Sequence, residues 1–157
     1  MEVSSLNGCC LLVREEAIRT VGLYDPTFWC YMDEVDWDWQ AEQAGWKRHY
    51  VPIESIIHLQ KDTGYDFASR ANYYMKRNTA LWYAKTGKYI SMIAWMVITL
   101  AIAVCRAISA PFLCRSPAKY AAFVTKLGKA YSEVIKRLFS GSLRISSGIA
   151  VSRPNCH

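Results

Sequence analysis

Four carboxylates lie within six residues of this chain, in the run Asp33-Glu34-Val35-Asp36-Trp37-Asp38. Aromatic and apolar side chains stand on both sides of the run and inside it, which predicts a packed wall behind the acids rather than a solvated loop. Anions held this close repel one another unless a metal ion or a cationic substrate lies among them. The run therefore predicts a functional site that binds a metal ion or a cationic substrate. The alternative is that the acids only begin a helix and take part in no chemistry.

A helix from Glu34 to Ala44 is expected to carry most of these acids, and Gly45 is well placed to end it. Asp33 stands where an N-cap residue would stand, and Asp36, three residues later, is placed to close a capping box. Carboxylates in a first helical turn face the positive end of the helix dipole, which favours their ionised form.

Shorter elements are expected around this helix. The apolar run Cys9–Val13 predicts a buried strand, Arg14–Val21 predicts a helix, and Lys47–Val51 and Ser55–Leu59 predict two further strands. The last of these strands contains His58 near its end, where a lone histidine is more often structural than a ligand. With carboxylates upstream, its imidazole nitrogen and their oxygens are a ligand set that suits a divalent transition metal.

The charges divide the chain into an acidic part and a basic part. Residues 1–66 hold five Lys/Arg against twelve Asp/Glu, a net charge of −7, whereas residues 67–157 hold fourteen against one, a net charge of +13. A basic part that contains a long apolar run indicates an anionic membrane surface as partner and argues against nucleic acid. The six cysteines are scattered and form no CxxC pair, so we expect reduced thiols in a cytosol-facing protein.

The basic part is expected to contain three helices. Phe67–Lys85 interleaves basic and aromatic side chains, which suits a phosphate-bearing ligand or, alternatively, an interfacial helix with snorkelling bases. Tyr89–Cys105 has no charge, and its apolar character continues to about Leu113. A full span needs about 20 apolar residues, so we expect a membrane-embedded helix, with a re-entrant or interfacial helix as the alternative. Lys119–Phe139 is basic and amphipathic, which is typical of a helix lying on the bilayer.

Six short segments follow one another in an order that is also found in a known family. They are Asn7-Gly8-Cys9-Cys10-Leu11-Leu12-Val13-Arg14, Val21-Gly22-Leu23-Tyr24-Asp25, Tyr31-Met32-Asp33-Glu34-Val35-Asp36, Ala44-Gly45-Trp46, Val51-Pro52 with His58, and Arg77-Asn78. Through them the segment from residue 7 to 88 resembles the second half of family 2 glycosyltransferases, which have the GT-A fold and move a sugar from a nucleotide donor. Two departures are that the first two acids are in reversed order and that Gln40 stands where the family usually has arginine.

The resemblance implies a role for each matched residue. Glu34 falls on the position of the general base that deprotonates the acceptor hydroxyl, with Asp36 as its competitor and Asp33 as the preceding acid of the motif. His58 falls on the position of a ligand of the divalent metal, Mg²⁺ or Mn²⁺, which is bound with the donor diphosphate. Arg77 is expected to stabilise charge at that diphosphate. In an inverting transfer the metal neutralises the negative charge that develops on the leaving group.

These observations together predict an α/β chain in four parts. They are the acceptor-side half of a GT-A domain (1–88), a hydrophobic membrane helix (89–113), a basic amphipathic helix (114–139) and a disordered tail (140–157). The expected function is metal-assisted inverting transfer from a nucleotide-sugar donor to a lipid-linked or cell-surface glycan at the cytosolic face of a membrane. The nucleotide-binding half would come from a separate chain or a longer one. The alternative is a non-enzymatic, membrane-anchored interaction protein in which the acidic motif is a remnant.

Overall fold

The computed structural model describes residues 1–6, 8–52, 57, 67–113 and 116–141. The helices in these ranges are α1 (Glu15–Val21), α2 (Asp33–Gln43), α3 (Arg70–Lys85), α4 (Tyr89–Ser109) and α5 (Pro117–Phe139), with a short 3-10 helix, Pro111–Leu113, between the last two. The described residues form two compact units, one before residue 58 and one after residue 66. The domain boundaries expected at residues 88, 113 and 139 stay predictions.

The predicted α/β fold, a partial GT-A fold, is wrong, because the described residues are helical and contain no strand. The apolar run Cys9–Val13 has no regular secondary structure, and Leu12 is 98% exposed. At Lys47–Val51 the pairing is limited to one antiparallel bridge between Glu2 and His49. A strand is stable only when neighbouring strands take up its backbone groups, and within the described ranges only the N-terminal residues do so here.

In the first unit, the N-terminal residues run antiparallel to the segment that follows α2. The Val3 N–H donates to the Arg48 carbonyl at 3.0 Å, and the Tyr50 N–H donates to the Met1 carbonyl at 2.8 Å. This pairing fixes the chain on both sides of α2 but is too short to build a sheet. The strand predicted at Ser55–Leu59 lies outside the described residues apart from residue 57.

A small apolar core joins α1 to α2. Ala17 of α1 packs with Trp37 and Ala41 of α2, and all three side chains are buried. Trp37 also donates from its indole Nε1 to the Gly22 carbonyl at 2.8 Å, directly after α1 ends. Packing and hydrogen bonding therefore hold the two helices together, and both helices are confirmed to within one residue of their predicted ends.

In the second unit, α3, α4 and α5 pack against one another. Ser69 caps α3 by accepting a hydrogen bond from the Asn72 N–H at 3.1 Å, and Gly87, with φ of +72°, follows the end of that helix. All three helices contribute to the core. The core includes Ala80, Leu81, Ala84, Met92, Met96, Ala103, Tyr120, Phe123, Leu127, Tyr131 and Val134.

Helix α4 leaves most of its apolar surface exposed. It has 21 residues, and only 17% of its apolar stretch is buried in the second unit. The exposed side chains include Ile90, Ile93, Val97, Ile98, Ile102, Val104 and Ile108. Within the described residues it is the one helix that is long and apolar enough to cross a membrane, which is a hint of membrane association.

The apolar face of helix α5 packs inside the second unit. The aromatic and aliphatic side chains that gave its amphipathic pattern, such as Phe123 and Leu127, are buried in the second unit. The lysines of its opposite face, including Lys126 and Lys129, are exposed. Whether this basic face lies on a bilayer stays a prediction, as does the disordered tail, of which only Ser140 and Gly141 are described.

Replacing Val97 with lysine is expected to reduce the retention of the chain in membranes. Val97 is 61% exposed, so the substitution does not disturb the core, whereas a lysine at the centre of a membrane helix costs about 2.5–3.5 kcal/mol on insertion scales. The measurement is the share of chain that stays with the membrane fraction after alkaline carbonate extraction. Met75→Lys, at an exposed position of α3, is the matched control. Retention that is the same in both variants and in the unchanged chain would contradict a membrane location for α4.

Candidate functional site

Helix α2 begins with a rare backbone conformation. Tyr31 and Met32 have φ angles of +64° and +69°, and both are therefore left-handed. Such a conformation in a bulky residue costs of order 1–3 kcal/mol and is concentrated at functional sites. Met32 occupies the N-cap position, and its carbonyl accepts a hydrogen bond from the Asp36 N–H at 2.9 Å. The capping box predicted for Asp33 and Asp36 is wrong, because no side chain caps the helix and Asp33 is already its first residue.

Two of the four acids are enclosed by the first unit. Asp36 has no exposed surface, and its Oδ2 accepts a hydrogen bond from Gln40 Nε2, one turn further along the helix, at 2.7 Å. This glutamine stands at the position where the resembling family usually has arginine. Because Asp36 is sealed from solvent, it is less accessible to an acceptor hydroxyl than its neighbours are.

Asp38 has a structural role that the sequence did not reveal. It is 2% exposed, and its Oδ2 accepts hydrogen bonds from the Ser5 hydroxyl at 3.0 Å and from the Leu6 N–H at 2.7 Å. The carboxylate therefore fixes the N-terminal segment beside α2. The spacing of acids along the sequence could not show this, because both partners lie more than 30 residues away.

Asp33 and Glu34 are the two acids of the motif that are partly exposed. Burial is the main cause that raises the pKa of Glu34 above its usual range, and a side-chain hydrogen bond to Asp33 and the negative charges of Asp33 and Asp38 raise it further. A backbone hydrogen bond partly opposes this rise. A raised pKa makes a carboxylate a stronger base once it is ionised, which is a property that general bases need.

The backbone at Gly8 lies directly against Glu34. A β-carbon added at Gly8 would lie 3.9 Å from both Cβ and Cδ of Glu34, which is ordinary contact distance. In the sequence, Gly8 was noted only as part of a segment that matches a family motif, so its proximity to Glu34 is known from the structure alone.

Tyr24 is a second residue near the acids that sequence reasoning missed. Its phenol pKa is raised by burial and by the negative charges of Asp33, Glu34 and Asp38. Its ring packs edge-on against Trp37 with the centroids 6.4 Å apart. The only sequence signal was its position within a segment that matched a family motif, which carried no assigned role.

A small apolar pocket lies next to Tyr24 and Trp37. Its volume is about 90 Å³, whereas pockets that enclose a small-molecule ligand usually measure about 300–1,000 Å³. The lining residues are Val13, Ile18, Gly22, Leu23, Tyr24 and Trp37. The pocket is too small and too apolar for a sugar, so the polar surface at Glu34 is the better candidate site.

Two of the predicted site residues lie outside the described part of the first unit. His58 lies outside the described residues, so the metal ligand assigned there stays a prediction. Arg77 belongs to the second unit, where it donates from Nη1 to Asn78 Oδ1 at 2.7 Å, and burial is the main cause that lowers its pKa. Asp33 and Glu34 supply the oxygen ligands that Mg²⁺ and Mn²⁺ prefer, but no group of three or more metal-binding side chains occurs among the described residues.

Comparison with known proteins finds a partial relative. The chain is 41% identical over 68 residues to N-acetylglucosaminyl-diphospho-decaprenol L-rhamnosyltransferase from two strains of Mycobacterium tuberculosis, CDC 1551 / Oshkosh and ATCC 25618 / H37Rv. The match covers 43% of this chain and 22% of each relative, so the chain corresponds to a small part of those proteins. No protein-family model matches the chain, and no solved structure matches it. This similarity supports a glycosyltransferase-like relationship.

The substitution Asp33→Asn is expected to lower the pKa of Glu34 towards its usual range. The change removes one of the negative charges that raise this pKa and alters the hydrogen bond between the two side chains. The measurement is an NMR titration of the Glu34 side-chain carboxyl carbon. Glu16→Gln, an exposed change on α1, should leave the titration as it is. A Glu34 pKa that does not move in Asp33→Asn would show that the cluster has a different electrostatic arrangement.

The same pKa sets the sign of a stability change. Because folding raises the pKa of Glu34, the folded chain binds this proton more tightly than the unfolded chain does. The free energy of unfolding is therefore expected to fall as the pH rises from the usual glutamate range through the raised pKa, and Glu34→Gln should remove this contribution.

Proposed function

We propose that this chain is part of a glycosyltransferase in which Glu34 acts as the general base towards the hydroxyl group of the acceptor. The observation that carries this proposal is that Glu34 combines partial exposure with a raised pKa, beside the strained start of α2. The partial similarity to a rhamnosyltransferase supports sugar transfer as the chemistry. Asp36, which is sealed and bonded to Gln40, acts instead by holding the first turn of the helix in place.

The reaction is an inverting transfer. The acceptor oxygen forms a bond to the anomeric carbon, the bond from that carbon to the donor diphosphate breaks, and the electron pair leaves with the diphosphate. The proton of the acceptor hydroxyl passes to Glu34, whose carboxylate must lie within about 3 Å of that oxygen. The negative charge of Asp33 contributes to the raised pKa of Glu34, which makes the ionised Glu34 carboxylate a stronger base.

A divalent metal, Mg²⁺ or Mn²⁺, would supply charge neutralisation at the leaving diphosphate. We assign His58 as a ligand of this metal and Arg77 as a cation that serves the donor diphosphate, in accordance with the family resemblance. Because Arg77 lies in the second unit, its role is a separate proposal from that of Glu34. Neither role is needed for Glu34 to take the acceptor proton.

The acceptor is proposed to be a lipid-linked or cell-surface glycan precursor at the cytosolic side of a membrane. The relatives are named for an acceptor in which a sugar is joined through a diphosphate to decaprenol, a lipid. The exposed apolar surface of α4 would bring the chain to the bilayer where such an acceptor lies. The nucleotide-sugar donor would be held by a nucleotide-binding half, present in a separate chain or a longer one.

A non-enzymatic interaction protein is the second candidate. The observation that favours it is that Asp36 and Asp38, half of the acidic motif, are used in hydrogen bonds within the first unit. In an interaction protein the acidic motif would serve only to make these hydrogen bonds, and it would have no catalytic activity. The two candidates differ in their response to a change at Glu34, which makes no contribution to the core.

Glu34→Gln is expected to lower sugar transfer at least 100-fold, because general bases contribute about 10²–10⁴ to rates. The assay measures the transfer of labelled sugar by the full chain combined with a nucleotide-binding half, using membranes as the acceptor source. Glu16→Gln, an exposed change on α1, is the control and should retain activity. Transfer that survives Glu34→Gln unchanged would exclude Glu34 as the base. Absence of transfer in the unchanged chain, together with intact folding, would favour the interaction protein.

Metal and donor binding are expected to respond to two further substitutions in that assay. His58→Ala should raise the concentration of Mn²⁺ needed for half-maximal transfer, because one ligand is lost. Arg77→Ala should raise the KM for the donor about tenfold or more, since a charge-assisted hydrogen bond contributes about 1.5–3 kcal/mol. Arg70→Ala, on an exposed position of the same helix, is the control for loss of positive charge. If His58→Ala needs the same Mn²⁺ concentration as the unchanged chain, His58 is not a metal ligand. If Arg77→Ala has the same KM for the donor as the unchanged chain, Arg77 does not bind the donor diphosphate.

A further inference from the structure

Two cations lie against one aromatic ring in the second unit. The ammonium nitrogen of Lys76 on α3 is 5.1 Å from the centroid of the Phe67 ring, and the guanidinium carbon of Arg106 on α4 is 4.6 Å from the same centroid. The Lys76 ammonium also lies 5.9 Å from the Trp95 ring. Lysine and arginine therefore converge on a small aromatic cluster from two different helices.

Lys76 is enclosed in this cluster although it carries a charge. Its side chain is only 7% exposed, and its backbone carbonyl accepts a hydrogen bond from Trp95 Nε1 at 3.1 Å, which fixes its position along α3. Burial, followed by the positive charge of Arg106, lowers the pKa of Lys76. Aromatic faces attract cations, but a buried ammonium loses more by desolvation than such contacts return unless an anion is near.

The described part of the second unit supplies no anion for this pair. Glu133 is the only carboxylate between residues 67 and 141. It lies on α5, where its Oε1 accepts a hydrogen bond from Arg137 Nε at 2.9 Å. The two cations of the cluster therefore repel each other without a carboxylate partner among the described residues of that unit.

The position of Arg106 indicates what kind of anion would pair with the two cations. Arg106 lies in the last turn of α4, the helix whose exposed apolar surface suits a lipid environment. The end of a membrane helix lies at the level of the lipid headgroups, where phosphate groups are concentrated. A guanidinium group binds two phosphate oxygens at once, and an ammonium adds a point charge and up to three donors.

We propose that Lys76 and Arg106 form a binding site for a phosphate group, carried by a lipid at the end of α4. This site is distinct from Glu34 and does not depend on the chain being a glycosyltransferase. The bound phosphate removes the repulsion between the two cations, and the rings of Phe67 and Trp95 limit the access of water to the Lys76 ammonium group. Phosphate and diphosphate esters share this chemistry, and the source of the phosphate is a question for experiment.

The test uses the full chain in a neutral detergent, so that no charged bilayer surface contributes. The probes are a short-chain phosphatidate, the phosphatidylcholine with the same acyl chains, and inorganic pyrophosphate. The measurement is the ligand-dependent rise in Tm, from which Kd is obtained. We expect phosphatidate to stabilise the chain and phosphatidylcholine to have little effect, since its phosphate is covered by choline. Stabilisation by pyrophosphate as well would show that a free phosphate group is sufficient.

Substitution at each cation identifies the site. Lys76→Met and Arg106→Gln should each raise the Kd for phosphatidate about tenfold or more, because each removes charge-assisted hydrogen bonds. Lys126→Gln, which removes an exposed charge on α5, should change it by less than twofold. Without ligand, Lys76→Met should keep or raise the Tm, since a buried like-charged pair is relieved, and this separates loss of the site from unfolding. Lys76→Arg should retain most of the binding.

Two results would overturn the proposal. One is that phosphatidate and phosphatidylcholine stabilise the chain equally, because the site then does not recognise phosphate. The other is that Lys126→Gln weakens binding as much as Lys76→Met does, because the effect then comes from the total charge of the second unit.

Discussion

The carboxylate and carbonyl groups of Asp38 hold together the separate pieces of the first unit. The side chain receives hydrogen bonds from Ser5 and Leu6, while its backbone carbonyl accepts one from the Arg48 guanidinium. Arg48, which is also buried, reaches Glu42 on the exposed side of α2 at 3.1 Å. Because this unit lacks a sheet within the described residues, these bonds and the packing of Trp37 are what position the acids of α2. The position of the Glu34 carboxylate, the candidate catalytic group, therefore depends on these interactions.

The sequence predicted the helices well, whereas the strands predicted at Cys9–Val13 and Lys47–Val51 are wrong, and the difference has a physical cause. An amphipathic or apolar pattern of 11 to 23 residues, as in α2, α4 and α5, satisfies its own backbone hydrogen bonds. A short apolar run such as Cys9–Val13 becomes a strand only if other strands lie beside it, which its own residues cannot specify. The cap of α2 was also missed, because the left-handed conformation of Met32 has no signature in that residue type.

The candidate site was partly visible in the sequence. The cluster of acids drew attention to Asp33, Glu34 and Asp36, but nothing in their spacing separates the enclosed Asp36 from the accessible Glu34. Tyr24 and Gly8 join the site only because the chain folds back on α2, and contacts of that kind have no local pattern. The roles given to His58 and Arg77 came from family resemblance, and they stay predictions. In the sequence, Lys76 was seen only as part of the basic and aromatic mixture in Phe67–Lys85, and Arg106, which lies outside that segment, was not connected with it.

The near absence of acids from the second unit has a consequence for handling and for cellular behaviour. With Glu133 as the lone acidic side chain after residue 66, against fourteen Lys/Arg, this part of the chain has a large excess of positive charge. Ionic strength sets the distance over which this charge acts, about 8 Å under physiological conditions, so the salt concentration decides how far from the chain an anion is attracted.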